Sequence, residues 1–114
     1  MKRLFAITLA TVFLSAGAAL ADPIEGNWKT ESGETAGIAK CGGSFCITLK
    51  TGAHKGKQIG QMQASGGGKY KGKITDPADD KTYSGKASIS GSSMKMSGCV
   101  FGGLICKSQA WKKQ

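Results

Sequence analysis

Polar and apolar side chains alternate in two runs between Lys69 and Ile89, and a turn sequence separates the runs. Successive side chains of a β-strand point to opposite faces, so one face would carry tyrosine and isoleucine and the other lysine and serine. Asp76-Pro77 and Asp79-Asp80 are turn residues, because aspartate bonds to nearby backbone groups and proline has a fixed φ. The pattern predicts a β-hairpin with one wet face and one dry face, and the dry face needs a partner.

The chain after residue 21 contains six further runs that are typical of strands. Their predicted bounds are 26–30, 36–41, 46–50, 59–64, 94–98 and 105–113, and residues 42–45 are predicted as a four-residue hairpin loop. Eight short strands about 11 residues apart, without helical periodicity, indicate an antiparallel meander. Closure of the meander removes exposed strand edges and buries the dry face. We therefore predict an all-β fold, a small eight-stranded antiparallel up-and-down barrel.

Residues 1–21 have the composition of an export signal. A basic start at Lys2-Arg3 precedes an apolar run, Leu4–Leu14, and Ala19–Ala21 matches the small-residue cleavage pattern. The apolar run is shorter than the ~20 residues that span a bilayer, which argues against an uncleaved anchor. We predict cleavage after Ala21, with Gly17–Ala19 as a nearby alternative, and a single domain over residues 22–114. The protein would then be periplasmic or secreted, and not an integral membrane protein.

The chain has four cysteines, which are expected to form two disulfides in a small exported domain. Metal binding by the four thiols is the alternative, but the cysteines are spaced too widely for the usual zinc knuckle. Four cysteines allow three connectivities. We predict Cys41–Cys46 and Cys99–Cys106, because each pair flanks a short loop between strands, where opposed residues come within bonding range.

The chain is strongly basic, with a formal net charge of +9, and lysine supplies all of the positive side chains after Arg3. Six lysines fall on the predicted outer face and its adjoining loop: Lys55, Lys57, Lys69, Lys71, Lys73 and Lys86. Such a lysine stripe suits anionic headgroups or polyanions, and it is also typical of a merely solvated surface. Specific nucleic-acid binding is not predicted, because base reading favours the bidentate side chain of arginine.

Several short motifs stand at the predicted strands and turns. They are Gly26-Asn27-Trp28, the Cys41/Cys46 pair, Asp76-Pro77, Lys81-Thr82-Tyr83-Ser84-Gly85-Lys86, Gly98-Cys99, Cys106 and Ser108-Gln109-Ala110-Trp111. Together they resemble a family of small exported bacterial proteins, a domain of unknown function with a lipocalin-like barrel. The resemblance covers nearly the whole chain after residue 21. It implies the fold and the export route, and no established activity.

The chain departs from this family at two places. Residues 51–58 form a shorter loop than the acidic one that the family usually has between its third and fourth strands, and Lys113 stands where arginine is usual. In lipocalins proper, a tryptophan packs under the barrel floor beneath a basic side chain. The resemblance therefore implies a contact between Trp28 and Lys113, as a cation–π pair weaker than one with arginine.

An eight-stranded barrel is either filled by its own side chains or holds one small ligand. The side chains that alternation places inside are Trp28, Ile38, Ile47, Leu49, Tyr70, Ile74, Tyr83, Ile89, Met94, Met96 and Trp111. Four small residues share these faces: Gly72, Gly85, Ala87 and Gly98. These residues either leave room for a ligand or let the walls close in.

Lys107 and Gln109 share a face of the last strand with Trp111. If Trp111 points inward, both polar side chains follow it by the period of two. A lysine buried there needs a counter-charge, which a ligand carboxylate, Glu25 or Glu31 could supply. A bulge near the preceding cysteine would instead turn Lys107 outward.

Metal binding and catalysis have little support in the sequence. The methionines and the histidine that could act as soft copper ligands are Met62, Met94, Met96 and His54. Methionines two apart in a strand are also typical of a core face. The aspartates of residues 76–80 lack the ligand-dense repeat of a calcium loop. No serine–histidine–acid constellation is visible, so we predict no metal, no cofactor and no enzyme.

These patterns predict an exported barrel that binds a small amphiphilic or anionic molecule. The predicted contact residues are Lys107, Gln109, Tyr70, Tyr83, Met94, Met96, Trp28 and Trp111. A fatty-acid-like ligand would place its tail against the tyrosines and methionines and its head near Lys107. The alternative is an envelope-associated structural or interaction protein that binds anionic surfaces through its lysine-rich face.

Overall fold

The computed structural model describes residues 22–114, and the predicted leader with its cleavage site lies outside the described residues. These residues form eight strands: β1 (Gly26–Lys29), β2 (Thr35–Cys41), β3 (Ser44–Leu49), β4 (Gln58–Gly66), β5 (Lys69–Asp76), β6 (Lys81–Ser90), β7 (Ser93–Val100) and β8 (Ile105–Lys113). Each strand is antiparallel to the next, and β1 also pairs with β8, so the sheet closes on itself. The predicted eight-stranded antiparallel barrel is confirmed.

The β2–β3 hairpin turns more tightly than the sequence predicted. Cys41 pairs with Ser44, so the turn consists of Gly42 and Gly43 alone, and Gly42 has a φ of 67°. Glycine suits this left-handed conformation because it has no Cβ to clash with the backbone. Phe45, predicted to lie in the loop, therefore belongs to β3 and is buried in the core.

Both predicted disulfides are present, and each joins the two strands of one hairpin. Cys99 and Cys106 lie directly opposite each other, with Cα atoms 4.1 Å apart. Cys41 and Cys46 are diagonal neighbours, because Cys46 lies opposite Ala39, and their Cα atoms are 5.8 Å apart. The pairing was predicted correctly, but only Cys99–Cys106 joins opposed residues as expected.

A tryptophan and a lysine close one end of the barrel. Trp28 is fully buried on β1, and its Nε1 donates a hydrogen bond of 2.9 Å to the carbonyl of Ile24. Lys113 Nζ lies 4.8 Å from the centroid of the Trp28 ring and donates to the carbonyls of Pro23, at 3.0 Å, and Glu25, at 2.6 Å. We call this group of residues the floor. The implied contact between Trp28 and Lys113 is confirmed, and it ties the segment before β1 across the barrel end.

Part of the core fills the half of the barrel next to the floor. Its members there include Ile24, Phe45, Met62, Tyr70 and Met94, all of them buried. Phe45 and Tyr70 pack edge to face, with ring centroids 5.9 Å apart. This end of the barrel is therefore filled by the protein's own side chains.

Three glycines form a row across β5, β6 and β7, because Gly72 pairs with Gly85 and Gly85 with Gly98. A Cβ atom at Gly72 would overlap the carbonyl oxygen of Gln61, and one at Gly85 would lie 2.7 Å from Met62 Cε. Gly72 therefore lets β4 and β5 approach closely, and Gly85 leaves space for the core side chain of Met62. Gly98 instead lines a cavity, which is the other possibility that the sequence left open, namely room for a ligand.

Replacement of Lys113 by methionine removes the charge that joins the end of β8 to the segment before β1. We expect Lys113→Met to lower the free energy of unfolding by about 1–2 kcal/mol, because a cation–π contact and two charged hydrogen bonds are lost. Lys29→Met, at an exposed lysine on β1, is the control and should change stability by less than about 0.5 kcal/mol. Urea denaturation measures both variants, and equal stabilities would contradict the role assigned to Lys113.

Candidate functional site

The end of the barrel opposite the floor holds a cavity of about 580 Å³. Its mouth lies among the β1–β2, β3–β4 and β5–β6 loops. The strand residues that line it are Leu49, Ile59, Ile74, Thr75, Asp76, Tyr83, Met96, Gly98, Val100, Ile105, Lys107, Gln109 and Trp111. The volume falls within the range of roughly 300–1,000 Å³ that is typical of small-molecule sites.

β8 contributes two polar side chains, Lys107 and Gln109, to the cavity wall. Lys107 pairs with Gly98 and Gln109 with Met96, and β7 pairs with β8 without a register shift. The alternative in which a bulge turns Lys107 outward is therefore wrong. Lys107, Gln109 and Trp111 all line the cavity, as the period of two requires.

The two polar side chains of β8 are both available as donors. Trp111 Nε1 donates a hydrogen bond of 2.9 Å to Gln109 Oε1, which leaves the amide nitrogen of Gln109 as a donor. Lys107 Nζ has no hydrogen-bond or ion-pair partner within residues 22–114. Neither acid considered as its partner forms an ion pair with it: Glu25 accepts from the backbone N of Asp22, and Glu31 from that of Ala110.

β1 is only four residues long, and part of the barrel wall beside it is open. β1 pairs with β8 only at the end of β8, so residues 105–110 have no strand partner on this side in the described part of the chain. We call this gap the seam. The carboxylate of Glu31 spans it at one point, where it accepts a hydrogen bond of 2.8 Å from Ala110 N. Lys107 and Gln109 are consequently exposed although they line the cavity, and the burial considered as one alternative for Lys107 does not occur.

Five of the eight predicted contact residues line the cavity, and three do not. Those that line the cavity are Lys107, Gln109, Tyr83, Met96 and Trp111. Trp28, Tyr70 and Met94 do not line it, because they are buried in the half of the barrel next to the floor. Alternation places side chains on the interior face of a strand, but their depth along the barrel also depends on the stagger between strands.

The mouth of the cavity was not predicted, because its residues come from loops. Thr30, Ser32, Glu34 and His54 lie there, next to the end of β5 at Asp76. Glu34 Oε1 accepts a hydrogen bond of 3.1 Å from the Ser32 hydroxyl, and Asp76 Oδ1 accepts one of 2.9 Å from the backbone of the β5–β6 turn. Loop residues have no side-chain period, so no sequence signal assigned them to this site.

The aspartates of the β5–β6 loop form the turn, as predicted. Asp79 Oδ1 accepts a hydrogen bond of 3.0 Å from the backbone N of Lys81, and Asp80 forms an ion pair with Lys57. Met62 and Met94, considered as copper ligands, are buried in the core. Within residues 22–114, no group of three histidine, cysteine or acidic side chains comes together around a possible metal position.

A second concavity, of about 360 Å³, lies on the outside of the barrel over β5, β6 and β7. Its polar lining consists of lysines and serines: Ser65, Lys69, Lys71, Lys86, Ser88, Lys95 and Ser97. We call it the lysine groove. Lys71 lies directly opposite Lys86, although like charges in this relation destabilise a sheet. Three of the six lysines predicted on the outer face, Lys69, Lys71 and Lys86, line the groove. Lys57 forms an ion pair with Asp80 instead. Lys95 also lines the groove, although the sequence did not predict it there.

The sequence profile of a bacterial family matches residues 49–113, a segment that extends from the end of β3 to the end of β8. The profile is described as "Uncharacterized protein conserved in bacteria (DUF2147)". The chain belongs to this family. The DUF2147 segment contains Lys107, Gln109 and Trp111, but neither the motif around Trp28 nor Cys41. No curated protein and no solved structure matches the chain.

The family resemblance inferred from the motifs is therefore confirmed, over a shorter stretch than predicted. The two disulfides are compatible with a location outside the cytoplasm, because such bonds persist in oxidising compartments. Residues 22–114 contain no helix that is long and apolar enough to cross a membrane.

Tyr70 does not contact the cavity, because its hydroxyl is bound at the floor end. The O–H group donates a hydrogen bond to the carboxylate of Asp22, and the ring is buried beside Phe45. Burial raises the pKa of Tyr70 well above its ordinary value, and the hydrogen bond to Asp22 raises it further.

This shift predicts a loss of stability at high pH. The pKa of Tyr70 is higher in the folded than in the unfolded state, so the unfolded chain loses the phenolic proton first as the pH rises. The stabilising contribution is complete below about pH 10 and decreases above it. Tyr70→Phe should lower stability by about 1–2 kcal/mol near neutral pH and by less at alkaline pH.

Urea denaturation at about pH 8 and about pH 11 measures whether the stability difference between wild type and Tyr70→Phe becomes smaller as the pH rises. Tyr83→Phe is the control, because it retains Tyr70. A difference between wild type and Tyr70→Phe that stayed constant with pH would show that Tyr70 does not titrate in this way.

Proposed function

We propose that this DUF2147 protein is an exported binding protein, and not an enzyme, that holds a small amphiphilic anion in the cavity. The observation that carries the proposal is the donor pair on β8. Lys107 has no protein partner within residues 22–114, and Gln109 is held by Trp111 with its amide nitrogen left to donate. A carboxylate that binds both side chains would accept one charge-assisted and one neutral hydrogen bond.

The remainder of the inner wall suits an alkyl tail. Tyr83, Met96 and Trp111 line it together with aliphatic residues of β3 and β5. Methionine adapts to irregular shapes, and each buried methylene of a ligand contributes about 0.8 kcal/mol. A fatty-acid-like molecule thus fits the proposal, with its head at Lys107 and its tail towards Trp111 and Met96.

The acids at the mouth are compatible with an anionic ligand. Glu34 and Asp76 each accept a local hydrogen bond, and Asp76 lies directly opposite Lys81, whose charge offsets its own. Lys107 lies further from the mouth, two residues along β8 from Ile105. The head of the ligand would therefore meet the ammonium group inside the rim.

The contribution of Lys107 is testable by comparison of two ligands. We expect Lys107→Met to weaken binding of a long-chain carboxylate about fivefold, as for a charge pair of about 1 kcal/mol in contact with solvent, and to leave the matching alcohol unchanged. Lys95→Met, on the outer face of β7, should change neither affinity. Displacement of an apolar fluorescent dye measures all of these affinities.

Equal affinity of wild type and Lys107→Met for the carboxylate would remove Lys107 from the site. Absence of dye uptake by the wild type would contradict the cavity function itself, since a site lined by Trp111, Tyr83 and Met96 should accept an apolar dye.

The lysine groove supports a second candidate function, the binding of an anionic surface at the cell envelope. Lys71 and Lys86 lie opposite each other without an acid between them, and serine hydroxyls of β6 and β7 lie in the same groove. Phosphate groups would relieve this repulsion and accept hydrogen bonds from the serines.

This candidate predicts opposite effects of one substitution on stability and binding. Lys86→Thr should raise the free energy of unfolding by about 0.5 kcal/mol, because it removes a like-charge pair and threonine suits a strand. The same change should lower retention on a phosphate-bearing cation exchanger, whereas Lys40→Thr, on β2, should affect retention less. Equal retention of the two variants would contradict a role for the groove.

A further inference from the structure

Three large apolar side chains are exposed at the end of the β7–β8 hairpin. Phe101, Leu104 and Ile105 are 73%, 86% and 57% exposed, and they are the large hydrophobic residues that stand exposed within residues 22–114. We call them the apolar tip. A cluster of exposed apolar side chains on a small protein marks a surface that meets an apolar partner.

Phe101 has a backbone conformation that is unusual for a bulky residue. Its φ is 53°, and Gly102 and Gly103 follow with φ values of 65° and 93°. A bulky side chain is disfavoured in this left-handed region, where glycine is favoured. Because the Phe101 ring is mostly exposed, the core gains little from it. A residue that is both strained and exposed is evidence for a function outside the fold.

The apolar tip is held in place by the disulfide at its base. Cys99 and Cys106 join β7 to β8 immediately before and after the tip loop. Fewer residues therefore have to become ordered when the tip binds a partner, and less conformational entropy is lost.

The apolar tip adjoins both the lysine groove and the cavity. A Cβ atom at Gly103 would lie 3.9 Å from Lys86 Nζ, and Lys86 lines the groove. Ile105 belongs to the tip and also lines the cavity beside the seam. One continuous surface thus carries exposed apolar side chains, lysine ammonium groups and the lateral opening of the cavity.

We propose that the apolar tip inserts into the interface of an anionic phospholipid bilayer while the lysine groove faces the headgroups. Apolar side chains beside lysines are the combination that binds such an interface, by apolar burial together with attraction to anionic lipids. The proposal extends the second candidate function, because it adds an inserted element and names the partner. Because Ile105 belongs to the tip and also lines the cavity, the rim of the cavity would then lie next to the bilayer.

Vesicle co-sedimentation of the full folded chain tests the insertion. The vesicles are phosphatidylcholine with one quarter phosphatidylglycerol, and pure phosphatidylcholine is the comparison. Phe101→Gly should lower the affinity for anionic vesicles by about tenfold through loss of apolar burial. The same change should keep or raise the melting temperature, because glycine relieves the left-handed strain. Unfolding therefore cannot account for the loss of binding.

Two further measurements separate insertion from simple charge attraction. Lys86→Gln should weaken binding to anionic vesicles about fivefold, whereas Lys40→Gln should change it little. Leu104→Trp should place an indole within reach of brominated acyl chains, and its fluorescence should be quenched on binding beyond the quenching of the parent tryptophans.

The outcomes that contradict the proposal are distinct. If Phe101→Gly and Leu104→Ser bind anionic vesicles as wild type does and only Lys86→Gln weakens, the groove function stands and insertion is wrong. If the tip variants abolish self-association in the absence of vesicles, the tip is a contact between copies of the chain. Dye displacement without vesicles tests the cavity independently, so failure of one proposal does not imply failure of the other.

Discussion

Closure of the barrel depends on a short contact between β1 and β8, which the floor secures. The two strands share only two residue pairs, and one of them joins Trp28 to Lys113. The same lysine lies over the Trp28 ring and binds two carbonyls of the segment before β1. A longer β1 would complete the wall and cover Lys107. Because β1 is short, barrel closure depends on the contacts of the floor. For the same reason the cavity is open to solvent at the seam.

The two-residue period of the strands lets one wall carry two different chemistries. On β6, for example, Gly85 on the inner face leaves space for Met62 of the core, while Lys86 on the outer face lies opposite Lys71 of β5. A lysine on the inner face of β8, Lys107, is tolerated because the seam keeps it in contact with water. The separation of these faces allows an interior site and an exterior site to exist in one small barrel.

Two features of the structure conflict locally with the demands of the fold. Phe101 occupies a left-handed position that glycine would fill with less strain, and Lys71 faces Lys86 across a strand pair. Neither feature adds to the core, and both lie on the surface that continues to the cavity. Local conflicts of this kind are expected at functional positions, where binding of a partner offsets the loss of stability.

The sequence by itself determined the strand count, the antiparallel order, barrel closure and the disulfide pairing, because these follow from a two-residue period and short connections. The contact between Trp28 and Lys113 was implied by the family resemblance. The tertiary structure alone decided which interior side chains meet the cavity. It placed Tyr70 and Met94 in the core away from the cavity, and Tyr83 and Met96 on the cavity wall.

The depth of an interior side chain along the barrel depends on the stagger between strands, and the exposure of Lys107 depends on where β1 ends. No local sequence pattern records either property. The lysine groove likewise includes Lys95 only because β7 pairs with β6 in a register that places Lys95 opposite Ser88. Positions along one strand are local properties of the chain, whereas distances between strands are set only when the whole barrel closes.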